Sequence, residues 1–114
     1  MKDSFSSLPS GIPIGFTEAS IARGPFQHSL FLWVKGPCPG EGRSVRLAPR
    51  IYPATPDYWA IEVLSVRASD SGADRCHCEE GVFACSLPLS GLLGTRGVRI
   101  VGLDRSVDID VARG

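Results

Sequence analysis

Histidine is scarce. His28 and His77 are the only two in 114 residues, so any imidazole acid–base chemistry must pass through one of them. No G-x-S-x-G elbow, H-E-x-x-H pair or P-loop is present, which removes the motif-borne hydrolases, zinc proteases and phosphate cradles. Net charge is lacking too. Twelve basic and twelve acidic residues cancel, so no long-range field recruits nucleic acid or an anionic membrane. No apolar run approaches the roughly 20 residues of a bilayer span. The amino-terminal stretch MKDSFSSLPSGIPIGF has no continuous apolar region of the kind an export signal needs. The expected compartment is therefore the cytoplasm, where thiols stay reduced. Helical periodicity is missing throughout, and so are repeats and low-complexity tracts.

What is present reads as strands and turns. The apolar fraction is 43% and the charged fraction 21%, values of an ordinary globular domain that buries a core without help. The 13 glycines and 9 prolines fall between apolar runs, as in turn-rich β proteins. Residues 1–27 are broken by Pro9, Pro13 and Pro25 and read as an irregular segment packed on the domain; within it, FTEASIARG fits a short helix or an edge strand. From His28 to Gly114 the period is two. In HSLFLWVKG, Leu30, Leu32 and Val34 share one face and Phe31 and Trp33 the other. YWAIEVLSVRA puts Trp59, Ile61 and Val63 in phase, and SVDIDVA alternates strictly. The fold class that follows is all-β: a single-domain antiparallel β-sandwich or small barrel of six to seven short strands over residues 28–114.

The stretch DRCHCEEGVFAC concentrates three of the four cysteines and His77. Cys76 and Cys78 form C-x-C, which on a strand aims both sulfurs to one side. Glu79-Glu80-Gly81 fits a three-residue hairpin loop, which puts Cys85 on the opposite face, with His77. A loop of four residues would set Cys76 opposite Cys85, because a slip of one residue exchanges faces. The first register predicts plain structural thiols. The alternatives are a metal site of Cys76, His77, Cys78 and Cys85 holding zinc, a disulfide, or a reactive thiol. Cys38, between two prolines, is expected in an exposed turn.

Other candidates are dispersed. Arg43, Arg46 and Arg50 make a locally positive segment. Tyr52 and Tyr58 bracket the turn PATPD, and Trp33 lies on a partly open face. Trp33, Tyr52, Tyr58 and Arg46 are the candidate ligand-binding residues, since exposed aromatics on a β scaffold can stack on a ligand. Asp104, Asp108 and Asp110 form the best carboxylate group; alternating acids also guard an edge strand from aggregation. The expectation is a non-catalytic protein-binding or self-associating module, a homo-oligomer in the second case, without cofactor and without nucleic-acid or membrane partners. A small-ligand or metal-binding protein centred on the Cys76/Cys78 hairpin is the alternative. An enzyme combining His28 or His77 with the aspartates comes third.

Overall fold

The computed structural model describes residues 11–24, 29–67 and 75–111. They form nine strands: β1 (Ile12–Pro13), β2 (Glu18–Arg23), β3 (Leu30–Pro37), β4 (Arg43–Pro49), β5 (Tyr58–Arg67), β6 (Arg75–Glu79), β7 (Val82–Pro88), β8 (Gly97–Val101) and β9 (Ser106–Asp110). Two sheets result. One has the order β2-β3-β7-β6; in the other β5 pairs with β1, β4 and β8, and β9 extends it beyond β8. The all-β sandwich read from the period of two is therefore the fold of this protein, a single globule.

Two details depart from the sequence reading. Residues 1–27 are not wholly irregular: β1 joins one sheet, and Glu18–Arg23 pairs along β3 from Glu18↔Lys35 to Arg23↔Leu30 as an edge strand of the other. Two residues of β1 are too few to show a period, and β2 is weakly apolar because only one edge and one face are covered. Residues 28–114 carry seven of the nine strands, β3 to β9, the number read from the sequence. The sandwich is not wholly antiparallel either. β5 and β8 pair in parallel, Tyr58↔Gly97 through Glu62↔Val101, because the Gly-rich connection after β7 crosses from one sheet to the other before β8 begins.

The core lies between the sheets. Leu32, Val34, Phe83, Cys85 and Leu87 face Val45, Leu47, Ile61, Val63, Val98 and Ile100, all buried. Phe16 closes one end where the chain passes from β1 to β2, that is, from sheet to sheet. It is 4% exposed, and it fits because Gly36 and Gly102 carry no side chain. A Cβ on Gly36 would stand 2.9 Å from the Phe16 Cα, and one on Gly102 2.8 Å from its ring. The Arg105 guanidinium caps the ring at 4.6 Å from its centroid.

The β6–β7 hairpin settles the cysteine register. Glu79 pairs with Val82, Cys78 with Phe83, His77 with Ala84 and Cys76 with Cys85. The loop is thus the two residues Glu80 and Gly81, both at positive φ (51° and 80°), as in the tight turn whose twist matches antiparallel strands. The three-residue loop is corrected on this point. Gly81 adopts the left-handed region freely, and Glu80 enters it at a cost of about 1–2 kcal/mol, a cost that reading Gly81 alone did not anticipate.

Candidate functional site

All four cysteines are oxidised in this structure. Cys76 bonds to Cys85 across the hairpin, with Cα atoms 4.1 Å apart, and Cys38 bonds to Cys78 with Cα atoms 6.1 Å apart. The first follows from register, since directly opposed residues of an antiparallel pair approach closely at the positions that do not exchange hydrogen bonds. The second follows from the chain's course after β3, where the Cys38 amide donates to the Gly81 carbonyl at 3.0 Å and sets Cys38 beside the hairpin. Cys38 is half-buried rather than displayed in an exposed turn.

The structural-thiol reading therefore gives way to disulfides. With every sulfur paired, Cys76, Cys78 and Cys85 offer no thiolate to a metal. His77 is exposed on the opposite face of β6, paired with Ala84. Among the described residues no group of three or more histidines, cysteines or acids is placed to hold a metal ion.

The four candidate ligand-binding residues divide between the sheets. Arg46, Tyr52 and Tyr58 belong to the five-stranded side, where the polar residues interlock. Tyr52 meets Trp59 edge-on, with ring centroids 5.3 Å apart, and the Trp59 indole donates to the Arg50 carbonyl at 2.9 Å. Arg50 also reaches the Glu62 carboxylate at 3.2 Å. Arg43 donates to the buried Ser65 hydroxyl and carbonyl at 2.9 and 2.8 Å. Arg43 and Arg50 of the positive segment are thus engaged in contacts within their own sheet.

The aspartates are engaged on the same sheet. Arg99 grips Asp108 with two nitrogens, at 2.6 and 3.1 Å, and this hydrogen-bonded guanidinium holds the Asp108 carboxyl below the usual carboxylate range. Tyr58 donates its hydroxyl to Asp110 across the bare Gly97, with Arg96 and Arg99 near its ring at 5.3 and 5.6 Å. Asp104 is exposed away from this row. His77 sits on the other sheet, and His28 lies outside the described residues, so no histidine is brought to a carboxylate among the described residues.

The hydrogen bond to Asp110 raises the Tyr58 phenol above its ordinary value, with burial adding to the effect. A raised phenol contributes stability below the unfolded value, near pH 10, and loses it as pH rises through the folded value. Spectrophotometric titration should find Tyr58 ionising above the ordinary tyrosine value, and Asp110→Asn should bring it back toward pH ~10.

The four-stranded sheet turns a different surface outward. Register places Ser20, Trp33 and Ser86 in one row and Glu18, Lys35, Ala84 and His77 in the next. Trp33 occupies the middle of β3, an interior strand, yet is 39% exposed. The cause is its neighbours: the side chains directly across on both sides are serines, too short to cover an indole. Beside it lies a hollow of about 290 Å³ lined by Glu18, Ser20, Trp33 and Lys35. Sequence alternation found the face; the small cross-strand neighbours that leave Trp33 standing require the register.

No helix among the described residues is long and apolar enough to cross a membrane. Comparison with protein-family models, curated proteins and solved structures finds no match to this chain.

Proposed function

We propose that this domain is a non-catalytic protein-binding module that takes a short segment of a partner protein across the outer face of its four-stranded sheet, with Trp33 as the anchor. One observation carries the reading: an indole left 39% exposed at the centre of an interior strand, where its own sheet cannot cover it. A central aromatic within a polar rim is the arrangement of binding hot spots. The rim carries both signs, Glu18 next to Lys35, so it suits a segment of mixed charge rather than a polyanion.

The size of the face selects a segment over a second copy. Four strands at ~4.8 Å and about seven residues at ~3.4 Å give roughly 19 by 24 Å, near 460 Å². A stable dimer buries about 800 Å² per partner. A small ligand is the second reading, favoured by the hollow of about 290 Å³ in which Glu18, Ser20, Lys35 and the indole converge. The two disulfides favour a compartment oxidising enough to keep them, against the cytoplasmic placement expected of reduced thiols; in the cytoplasm such bonds are of the transient, redox-sensing kind.

The test is selection of a displayed random-peptide library on the wild-type protein. Selected peptides should bind Trp33→Ala ~30-fold or more weakly, the loss of a hot-spot aromatic, and bind Arg99→Ala, on the other sheet, unchanged. Peptides indifferent to Trp33→Ala would overturn the reading. So would a dimer in sedimentation velocity that Trp33→Ala dissolves, which would make the occupant a second copy.

A further inference from the structure

Both disulfides end on one strand. β6 contributes Cys76 to the bond with Cys85 and Cys78 to the bond with Cys38. The strand has little else to hold it. Among the described residues it is the edge of its sheet and pairs only with β7. Its sequence is RCHCE, and its inward positions in register with buried Cys85 and Phe83 are Cys76 and Cys78. His77, Cys78 and Glu79 are exposed and Cys76 is half-buried. An edge strand whose inward side chains are all cysteines gains almost nothing from the hydrophobic effect beyond the sulfurs themselves, and segments with few buried apolar contacts open at the low end of the local stability range.

We propose that β6 is a redox-released edge: a dithiol that reduces both disulfides frees Arg75–Glu79 from β7, while the sandwich core stays folded. Most of the core lies off the strand: Leu32, Val34, Phe83 and Leu87 pack against Val45, Leu47, Ile61, Val63, Val98 and Ile100, and Cys76 is the one residue of β6 packed against that cluster. The exposed sulfur is the point of entry. A dithiol thiolate attacks the Cys78 Sγ, which joins the dithiol in a mixed disulfide while the Cys38 sulfur leaves as thiolate and takes up a proton. The second dithiol sulfur then closes on the first, releasing Cys78 as a thiol and leaving the reductant as a cyclic disulfide. Two electrons and two protons reach the protein. A second equivalent repeats this at Cys76–Cys85, whose Cys85 is fully buried, so this bond is reduced second.

The consequence for binding rests on the function proposed above. Release removes His77 and Glu79 from the outer face and bares the β7 edge, whose free backbone groups template another strand. The device itself needs no partner to be seen, so the two ideas fail separately.

The experiment is hydrogen exchange by mass spectrometry on the full chain, oxidised and after dithiothreitol, with thiol alkylation verifying each state. Reduction should cut the protection of the Arg75, His77 and Glu79 amides, which face β7 in the ladder, by ~100-fold or more and leave β5 and β8 within about threefold. Cys38→Ser/Cys78→Ser, which retains Cys76–Cys85, should keep β6 protected until reduced. Alkylation should trap Cys38 and Cys78 before Cys76 and Cys85. Protection of β6 that survives full reduction would overturn the proposal. So would loss of protection in every strand together, which would make the disulfides staples of the whole fold.

Discussion

Phe16→Ala is expected to destabilise the protein by about 3–5 kcal/mol, the range for truncating a buried phenylalanine. The expectation rests on position as much as size. Phe16 lies where the chain leaves one sheet for the other; its ring fills the gap that Gly102 leaves open, and its backbone passes close over Gly36. Those glycines cannot collapse toward a smaller residue, since they bring no side chain to do it. The cavity therefore persists, and cavity terms add to the lost transfer energy. Arg105 also loses the ring it caps. In urea the midpoint should fall by about 1.5–2.5 M for a denaturant slope near ~2 kcal/mol/M. Ile51→Ala is the control: Ile51 is 96% exposed, and its loss should stay within about 0.5 kcal/mol. Equal losses at the two positions would remove the packing argument.

Gly97→Val is expected to be at least as damaging, by another route. A Cβ on Gly97 would stand 1.9 Å from the Ile109 carbonyl oxygen and 2.9 Å from its carbon. Both atoms are backbone, so no rotamer change relieves the clash; β9 must move away from β8. Gly97 is also the link in the row Tyr58–Gly97–Asp110, where the tyrosine reaches over it to the carboxylate. Separation of the strands breaks that hydrogen bond and disturbs the neighbouring Arg99–Asp108 pair. A loss of about 4 kcal/mol or more falls in the exceptional range for one substitution and should lower the melting temperature by roughly 15 °C. A local signature distinguishes this from general loosening: Tyr58 should ionise near the ordinary tyrosine value. If Gly97→Val melts like the wild type, the β8–β9 register is wrong.

Much of the architecture was legible in the residues because burial imposes a period of two. Leu32 and Val34 against Trp33, Ile61 and Val63 against Glu62, and Val107 and Ile109 against Asp108 all face as alternation requires. What the pattern could not carry is pairing. The parallel partnership of β5 with β8 leaves no local mark on either strand. The cysteines illustrate the sharper limit. Their chemistry turned on one backbone choice at Glu80, whose left-handed conformation shortened the loop to two residues and moved Cys85 from the far face to the position opposite Cys76. Cys38 carried no signal of its own, since its partner lies 40 residues away.

The candidate site shows the same division. Trp33 was visible as one of a face of mixed residues, and Tyr52 and Tyr58 as the brackets of a turn. Only the register separates them, giving the tyrosines partners on the five-stranded sheet and leaving Trp33 between two serines on the other. Exposure at the centre of an interior strand, not residue type, distinguishes the tryptophan.

The most direct test uses the indole as its own reporter. In a Trp59→Phe background Trp33 is the only tryptophan, and its emission can be followed while the strongest library-selected peptide is added. Binding across the outer face takes the indole out of water, so the emission should move to shorter wavelength and saturate at one equivalent. Emission that does not change while calorimetry records binding would place the peptide elsewhere and contradict the account.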